Sequence, residues 1–338
     1  MKRTLFLLLL FAGLGGASYF LLFAKPSNTT IARGDREFAV KDVDQIEKIF
    51  IADRDGNQTT LVRKSDYWEY NGKHKARPSV MRTLLDVINR VDVNYVVARA
   101  AMKNIVNDMA SYGIKVEIYG KENKLLKAYY VGGMTNDETG TYMIMDGSNE
   151  PYVTHIPSWQ GGLRARYDLS GDEWRDRTVF SQQPDNIKAI SIEYPKQQVH
   201  SFRLERKGGK FDVKPFSDDS PSVNKKVHQG KVEAFLYSFE SLAGEAFRNE
   251  MDSRDSIVNS VPFCKVTMET EDGELKKADF YPMATYRADG SFVTDQDIDS
   301  EETAIERYFA DMSTGDFIMV QHRVFRPIFR PYNSFFED

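Results

Sequence analysis

Two short stretches decide the fold: DQIEKIFI from Asp44 to Ile51, and DNIKAISI from Asp185 to Ile192. In both stretches apolar residues alternate with polar ones, which is the period-two pattern of a half-buried β-strand. A second strand pattern follows each of them, LVRK at 61–64 and LERK at 204–207. The common order of these patterns indicates that one strand-rich unit occurs twice in the chain.

Further strand patterns complete each copy. In the first copy they fall at 67–70, 114–119, 125–131, 142–145 and 151–156. In the second copy they fall at 211–213 and 317–320, with an inserted helix predicted from Glu301 to Met312. Each copy also has a helical stripe of apolar residues at three- and four-residue spacing. The stripes are Val80, Leu84, Val87, Ile88 and Val91, and Val232, Phe235, Leu236, Phe239 and Leu242.

The N-terminal segment has the composition of a membrane segment. Lys2-Arg3 precedes an uncharged run at 4–24, which is about the 20 residues that a helix needs to cross a bilayer. A cleavable signal peptide is the alternative, with an apolar region at 5–14 and the small residues Gly15 and Ala17 before the cleavage site. Because the apolar run continues to residue 24, the sequence favours a retained anchor.

The basic residues before this anchor predict its orientation. Positive residues flanking a spanning helix favour the cytoplasmic side, and Lys2-Arg3 therefore predicts a cytoplasmic N-terminus. We expect a single-pass protein of the cell inner membrane whose soluble region lies on the periplasmic side. The membrane is its first predicted partner.

The predicted fold class is α+β: an N-terminal transmembrane helix, then two similar units of mainly antiparallel sheet with packed helices. The predicted boundaries are 1–24 for the anchor, 25–35 for a linker, 36–158 for the first unit, 159–182 for a connector, and 183–338 for the second unit with a C-terminal aromatic tail.

The composition of the chain limits the classes of protein to which it can belong. With 41% hydrophobic and 28% charged residues, the chain has the composition of a globular protein. A net charge of -5 lacks the basic excess that binding to phosphate backbones requires, so we expect no nucleic-acid partner. The lone Cys264 lies beside Phe263 and near Val266, and this setting predicts a buried thiol that packs as a small apolar residue.

One acidic stretch has the spacing of a calcium loop. Oxygen-bearing residues Asp295, Asp297, Asp299 and Glu306 occupy the first, third, fifth and twelfth positions. Ser300, however, stands where the loop needs glycine for a sharp turn. The alternative is a solvated loop in which this serine caps the predicted helix.

Linear signatures of catalysis are missing from the sequence. The five histidines do not occur at the short helical spacing of a zinc site; they are His74, His155, His200, His228 and His322. A serine elbow and a phosphate loop are also absent. Gly132-Gly133 is interpreted as a turn between two strands. The sequence therefore assigns no catalytic, cofactor-binding or metal-binding residue and implies no cofactor.

Two aromatic segments are candidates for contact surfaces. The segment Trp159–Arg177 contains two tryptophans and four arginines, which are residue types enriched at interfaces. Alternatively, Trp174 packs between the two units and the arginines pair with acidic neighbours. The C-terminal segment at 325–336 contains four phenylalanines and a tyrosine, and it packs either on the second unit or on a partner.

The soluble region resembles the DUF4340 family of uncharacterised bacterial proteins. The resemblance is carried by Leu61-Val62-Arg63, Trp68, Ala76-Arg77-Pro78 before Leu84-Leu85, Val131-Gly132-Gly133 with Tyr142, and Trp174-Arg175-Asp176-Arg177. Several members of that family lie beside or are fused to gliding-type ABC transporter components. The resemblance implies a location in the cell envelope and an association with ABC transporter components. It identifies no active-site residue in this chain.

The preferred hypothesis for function is a membrane-anchored extracytoplasmic accessory or binding module without catalytic activity. Its expected partner is a protein or an envelope ligand, and the family resemblance points to a component of an ABC transport or envelope assembly system. The alternative is an exported enzyme, such as an envelope-polymer hydrolase, whose carboxylates come from separate strands and leave no linear motif.

Overall fold

The structure is a computed structural model that describes residues 33–217, 223, 225–283 and 305–337. The chain divides between Trp174 and Arg175 into two compact units. The predicted anchor, most of the predicted linker and the Asp295–Ser300 part of the candidate calcium loop lie outside the described residues. In the described ranges, no helix is long and apolar enough to span a bilayer.

The first unit is built on one antiparallel sheet of nine strands. The strands are β1 (Lys48–Ala52), β2 (Gln58–Arg63), β3 (Trp68–Tyr70), β4 (His74–Lys75), β5 (Asp92–Val96), β6 (Ile114–Tyr119), β7 (Leu125–Met134), β8 (Thr141–Met145) and β9 (Tyr152–His155). Their order in the sheet is β4-β3-β2-β1-β6-β7-β8-β9-β5. The helices are α1 (Pro78–Arg90) and α2 (Arg99–Tyr112).

The second unit contains a sheet of eight strands and a two-stranded ribbon. Its strands are β10 (Thr178–Phe180), β11 (Ile187–Glu193), β12 (Phe202–Lys207), β13 (Lys210–Pro215), β14 (Leu242–Ala243), β15 (Ala246–Phe247), β16 (Cys264–Thr270), β17 (Leu275–Pro282), β18 (Arg307–Met312) and β19 (Phe317–Gln321). The large sheet has the order β13-β12-β11-β16-β17-β18-β19-β15, and β10 pairs with β14. The helices are α3 (Gln229–Tyr237), α4 (Arg254–Val258) and α5 (His322–Phe325).

The two large sheets have the same strand order. Eight neighbouring strands of the first sheet have the order β3-β2-β1-β6-β7-β8-β9-β5. The corresponding order in the second sheet is β13-β12-β11-β16-β17-β18-β19-β15. The helices also take the same places in the chain: α1 and α3 follow β4 and β13 at one edge of their sheets, and α2 and α4 follow β5 and β15 at the other edge. Each copy therefore repeats a complete unit of topology.

The predicted α+β class is wrong, because the structure is mostly β. Over the described residues, strands account for more residues than helices, and the two longest helices there have 14 and 13 residues. The helix predicted at 301–312 is also wrong over its described part, where Arg307–Met312 is strand β18. This strand pairs on both sides, with β17 and β19, and buries Tyr308 and Ala310. Pairing across the sheet overrides the local helical preference of its acidic neighbours.

Each sheet has a main core on one face and a smaller cluster on the other. In the first unit, α1 buries Met81, Leu84, Val87 and Ile88 against the main face. Helix α2 instead packs on the opposite face, where Ile105 and Met109 join a separate cluster with Val153. The large side chains of the predicted connector are divided between cores: Leu163, Tyr167 and Trp174 lie in the first, and Val179 and Phe180 in the second.

Candidate functional site

A row of side chains crosses the outer face of the first sheet at its β5 edge. Tyr95 in β5 pairs with Val153 in β9, and Val153 pairs with Tyr142 in β8. Directly opposite residues of antiparallel strands point to the same face. The two tyrosines therefore flank Val153 on the face that α2 covers only in part.

Two glycines bring the end of α2 next to this row. Gly132-Gly133 lies inside β7, at a register shift in its pairing with β8, so the predicted turn is wrong. A Cβ atom on Gly132 would lie 2.9 Å from Met109 Cγ, and one on Gly133 would lie 3.2 Å from the Tyr112 hydroxyl. The missing side chains let the helix approach the strand closely, and they place the Tyr112 ring beside Tyr142.

The segment after β9 extends the same surface. A Cβ atom on Gly162 would lie 2.9 Å from Met134 Sδ, so this segment packs against the end of β7. The Leu163 amide donates a hydrogen bond to Thr141 Oγ1 at 2.7 Å, which fixes the segment to β8. The Arg166 guanidinium lies 5.1 Å from the centre of the Trp159 ring.

We name these side chains the aromatic surface: Tyr95, Tyr112, Met134, Tyr142 and Trp159. Their exposed fractions are 46% for Tyr95, 43% for Tyr112, 43% for Met134 and 39% for Trp159, while Tyr142 is half-buried. Large aromatic and methionine side chains that stay exposed together are characteristic of contact surfaces.

Arginine and carboxylate groups border the aromatic surface. Arg164 Nη1 donates hydrogen bonds to the carbonyl oxygens of Tyr112 at 2.9 Å and Val131 at 3.4 Å, and its Nε binds Asp168. Burial raises the pKa of Tyr112, and the Asp108 carboxylate raises it further. For Tyr95, burial and then Asp137 raise the pKa. Both phenols therefore stay protonated at neutral pH and can donate hydrogen bonds.

The equivalent row of the second sheet is largely buried. By the strand correspondence it consists of Ala246 in β15, Met319 in β19 and Phe309 in β18, which are paired in this order. Phe309 and Met319 lie in an apolar cluster with residues of the segment around α4. The exposure of Tyr95 at this place in the sheet therefore does not follow from the shared topology.

The structure assigns the other aromatic segments to cores. Trp174 is fully buried in the first core, and its Nε1 donates to the Leu169 carbonyl at 2.8 Å. The C-terminal tail packs on the second unit, with Phe325, Phe329, Tyr332, Phe335 and Phe336 in its core. Cys264 is buried there as well, as predicted, and burial raises the pKa of its thiol. Among the described residues, no group of histidine, cysteine or carboxylate side chains has the arrangement of a metal site.

A row of charged side chains crosses the outer face of the second sheet. Pairing places Glu193, Lys265, Asp279 and Asp311 opposite one another on β11, β16, β17 and β18. Arg254 from α4 binds the last carboxylate at 3.1 Å. Burial raises the pKa of Asp279 and Lys265 opposes this, while Asp311 and Glu193 raise the pKa further. Asp279 and Asp311 are therefore neighbouring carboxylates on the outer face of this sheet.

The Asp279→Asn variant is expected to unfold at a higher temperature at pH 7. In the folded protein the pKa of Asp279 lies above its usual value of 3.8. The protonated carboxyl therefore stabilises the fold at low pH, and this stabilisation is lost as the pH rises from 3.8 through the raised pKa. Because the group is only partly buried, the gain is small, about 1–2 °C. Thermal unfolding at pH 7 and pH 3 measures it, and the gain should vanish at pH 3. The exposed Asp252→Asn variant is the control, and a lower midpoint for Asp279→Asn at pH 7 would show that the contact with Lys265 dominates.

Fold and surface together define the class: a two-unit antiparallel β-sheet protein with an exposed aromatic surface on its first unit. The family model of DUF4340, a domain of unknown function, matches residues 97–259. The chain is therefore a DUF4340 domain-containing protein, as the sequence resemblance predicted. The matched residues run from α2 of the first unit through α4 of the second. No curated protein matches the chain.

Sequence reasoning found only part of the aromatic surface. It singled out the segment that contains Trp159, Arg164 and Arg166, and it quoted Tyr142. It missed Tyr95, Tyr112 and Met134, which stand in strand and helix patterns where an aromatic or apolar residue normally lies in the core. The available signal was the Gly132-Gly133 pair inside a strand pattern, since such glycines mark a bulge or a close approach of another element.

Proposed function

We propose that the protein is a membrane-anchored, extracytoplasmic accessory module that binds another protein through the aromatic surface and has no catalytic activity of its own. The exposure of Tyr95, Tyr112, Met134 and Trp159 carries this proposal. Tyrosine and tryptophan side chains combine large contact area with polar groups, and together with arginine they contribute most of the binding energy in many interfaces.

The predicted anchor and the family resemblance support the proposed location of the protein and the proposed class of partner. The uncharged run at 4–24 tethers the protein to the inner membrane in this proposal, with both units on the periplasmic side. The proposed partner is a component of an ABC transport or envelope assembly system, which the family resemblance suggests. Because the eleven residues of the predicted linker span at most about 40 Å, the first unit would stay close to the membrane and to such a partner.

A photo-cross-linking amino acid at position 112 tests this proposal in native membranes. We expect Tyr112 to give cross-links to a transport or assembly component, because its ring would face the partner. The matched control is Tyr237, an exposed tyrosine on α3 of the second unit. Adding Tyr95→Ser and Trp159→Ser should lower the cross-linking yield about tenfold or more. Equal yields at the two positions, or a yield unchanged by the two serines, would contradict the proposal.

The second candidate function is an exported envelope-polymer hydrolase, favoured by the opposed Asp279 and Asp311. A retaining glycosidase needs two carboxyl groups about 5 Å apart, which is near the separation of opposite side chains on antiparallel strands. Arg254 holds one of these carboxylates, however, and Lys265 stands opposite the other. Turnover of purified envelope polysaccharide that is abolished by Asp311→Asn would establish this candidate in place of the first.

A further inference from the structure

The strand at the edge of the aromatic surface differs from the other sheet edges. Strand β5 has five residues, is mostly exposed, and in the described part of the chain pairs with β9 alone. Natural edge strands are usually short, or carry lysine or proline that blocks pairing with another chain. Strands β4 and β15 have only two residues each, and β13 contains Lys210, Lys214 and Pro215. Strand β5 has neither lysine nor proline, and its one irregularity is a register shift between Val93 and Tyr95, so Tyr95 and Val96 form a regular stretch beyond that shift.

The pairing of β5 shows which backbone groups face away from the sheet. Just beyond the two strands, the Val97 amide donates to the Pro151 carbonyl at 3.5 Å, so Val97 turns its N–H toward the β9 side, and proline has no N–H to donate in return. Hydrogen-bonded and non-bonded pairs alternate along antiparallel strands. The N–H and C=O groups of Val96, the preceding residue, therefore point to the free edge.

We infer that β5 accepts an extended segment of the partner protein as an additional antiparallel or parallel strand, an inference that rests on the proposed function. Backbone pairing of this kind supplies hydrogen bonds, while alternate side chains supply specificity. Tyr95 faces the outer side of the sheet, in the row that continues through Val153 to Tyr142, and Val96 pairs with Tyr152 on the other side. The added segment would thus carry apolar side chains at two successive positions, one for each face.

The size of the edge favours a short segment over a second copy of this chain. Five residues of strand span about 17 Å. A stable dimer buries about 1,600 Å² and involves roughly 20–30 residues on each side. A five-residue edge with a few neighbouring rings is small for such an interface, but it matches the length of chain that adds to a sheet edge.

The inference can be tested with a phage-displayed library of twelve-residue peptides. The library is selected for binding to the full-length protein in detergent. We expect enrichment of peptides with adjacent β-branched or aromatic residues. Val96→Pro removes the outward N–H and should weaken binding of the best peptide about tenfold, the loss expected for one backbone hydrogen bond. Val96→Thr keeps that N–H and should bind nearly as the parent protein does. Proline is tolerated at an edge position whose N–H faces solvent.

Hydrogen exchange of the parent protein gives a readout that is independent of the variants. The Val96 amide should exchange more slowly when the peptide is bound, whereas ring contact alone would leave it unchanged. The inference would be overturned if no binding peptide is enriched, or if the proline and threonine variants lose the same affinity for the best peptide. It would also be overturned if the bound peptide leaves the Val96 amide unprotected. A dimer of the full chain that Val96→Pro dissociates would overturn it in favour of a second copy. If cross-linking at Tyr112 succeeds while Val96→Pro binds normally, the proposed function stands and this inference alone fails.

Discussion

Replacing Trp174 with alanine is expected to lower the free energy of unfolding of the first unit by about 3–5 kcal/mol. The indole is fully buried and packs with the residues of the main core. Its loss leaves a large cavity and removes the donor to the Leu169 carbonyl. The backbone carbonyl of the same residue accepts a hydrogen bond from the Arg77 amide at 2.8 Å, so the cavity opens beside the start of α1.

Urea unfolding of the full-length protein, followed by far-ultraviolet circular dichroism, measures this loss. The matched control is Trp159→Ala, which truncates an exposed indole and should change the free energy of unfolding by less than about 1 kcal/mol. Equal unfolding midpoints for the two variants would mean that the indole of Trp174 contributes no more to stability than an exposed one.

Replacing Asp316 with alanine is expected to cost the second unit about 3 kcal/mol. Its Oδ1 accepts hydrogen bonds from Arg175 Nη2 at 2.7 Å and from Asn249 Nδ2 at 3.0 Å. The Arg175 side chain is buried and lies over the Phe247 ring at 4.0 Å. Removing the carboxylate takes the charge partner from a buried guanidinium, which is why the expected cost exceeds that of a surface ion pair.

Asp316→Asn is the control, because the amide oxygen keeps an acceptor at the same place while the charge is lost. We expect it to cost less than the alanine variant. Hydrogen exchange of peptides from β15 and β19 locates the effect. Asn249, which follows β15, accepts a hydrogen bond from the Phe317 amide of β19 at 2.7 Å through its Oδ1. An alanine variant as stable as the parent protein would show that other contacts of Arg175 suffice.

The positions of most strands were determined by the sequence itself. The strand predicted at 114–119 is confirmed as β6, and those at 142–145 and 317–320 are confirmed within β8 and β19. Alternation of apolar residues is a local property of the backbone, since successive side chains point to opposite faces. The repeat of the strand pattern is visible for the same reason, and the two large sheets do have one strand order.

Only the tertiary structure decided which apolar side chains are buried. The residues around Tyr142 and Phe309 stand at equivalent places in the two sheets, but one is half-buried and the other is buried, because different segments cover them. Likewise, Arg307–Met312 is a strand because it has neighbours on both sides, and Gly132-Gly133 is a close approach because α2 lies over it. The periodicity of a sequence gives the direction of each side chain, whereas its exposure depends on distant residues that pack above it.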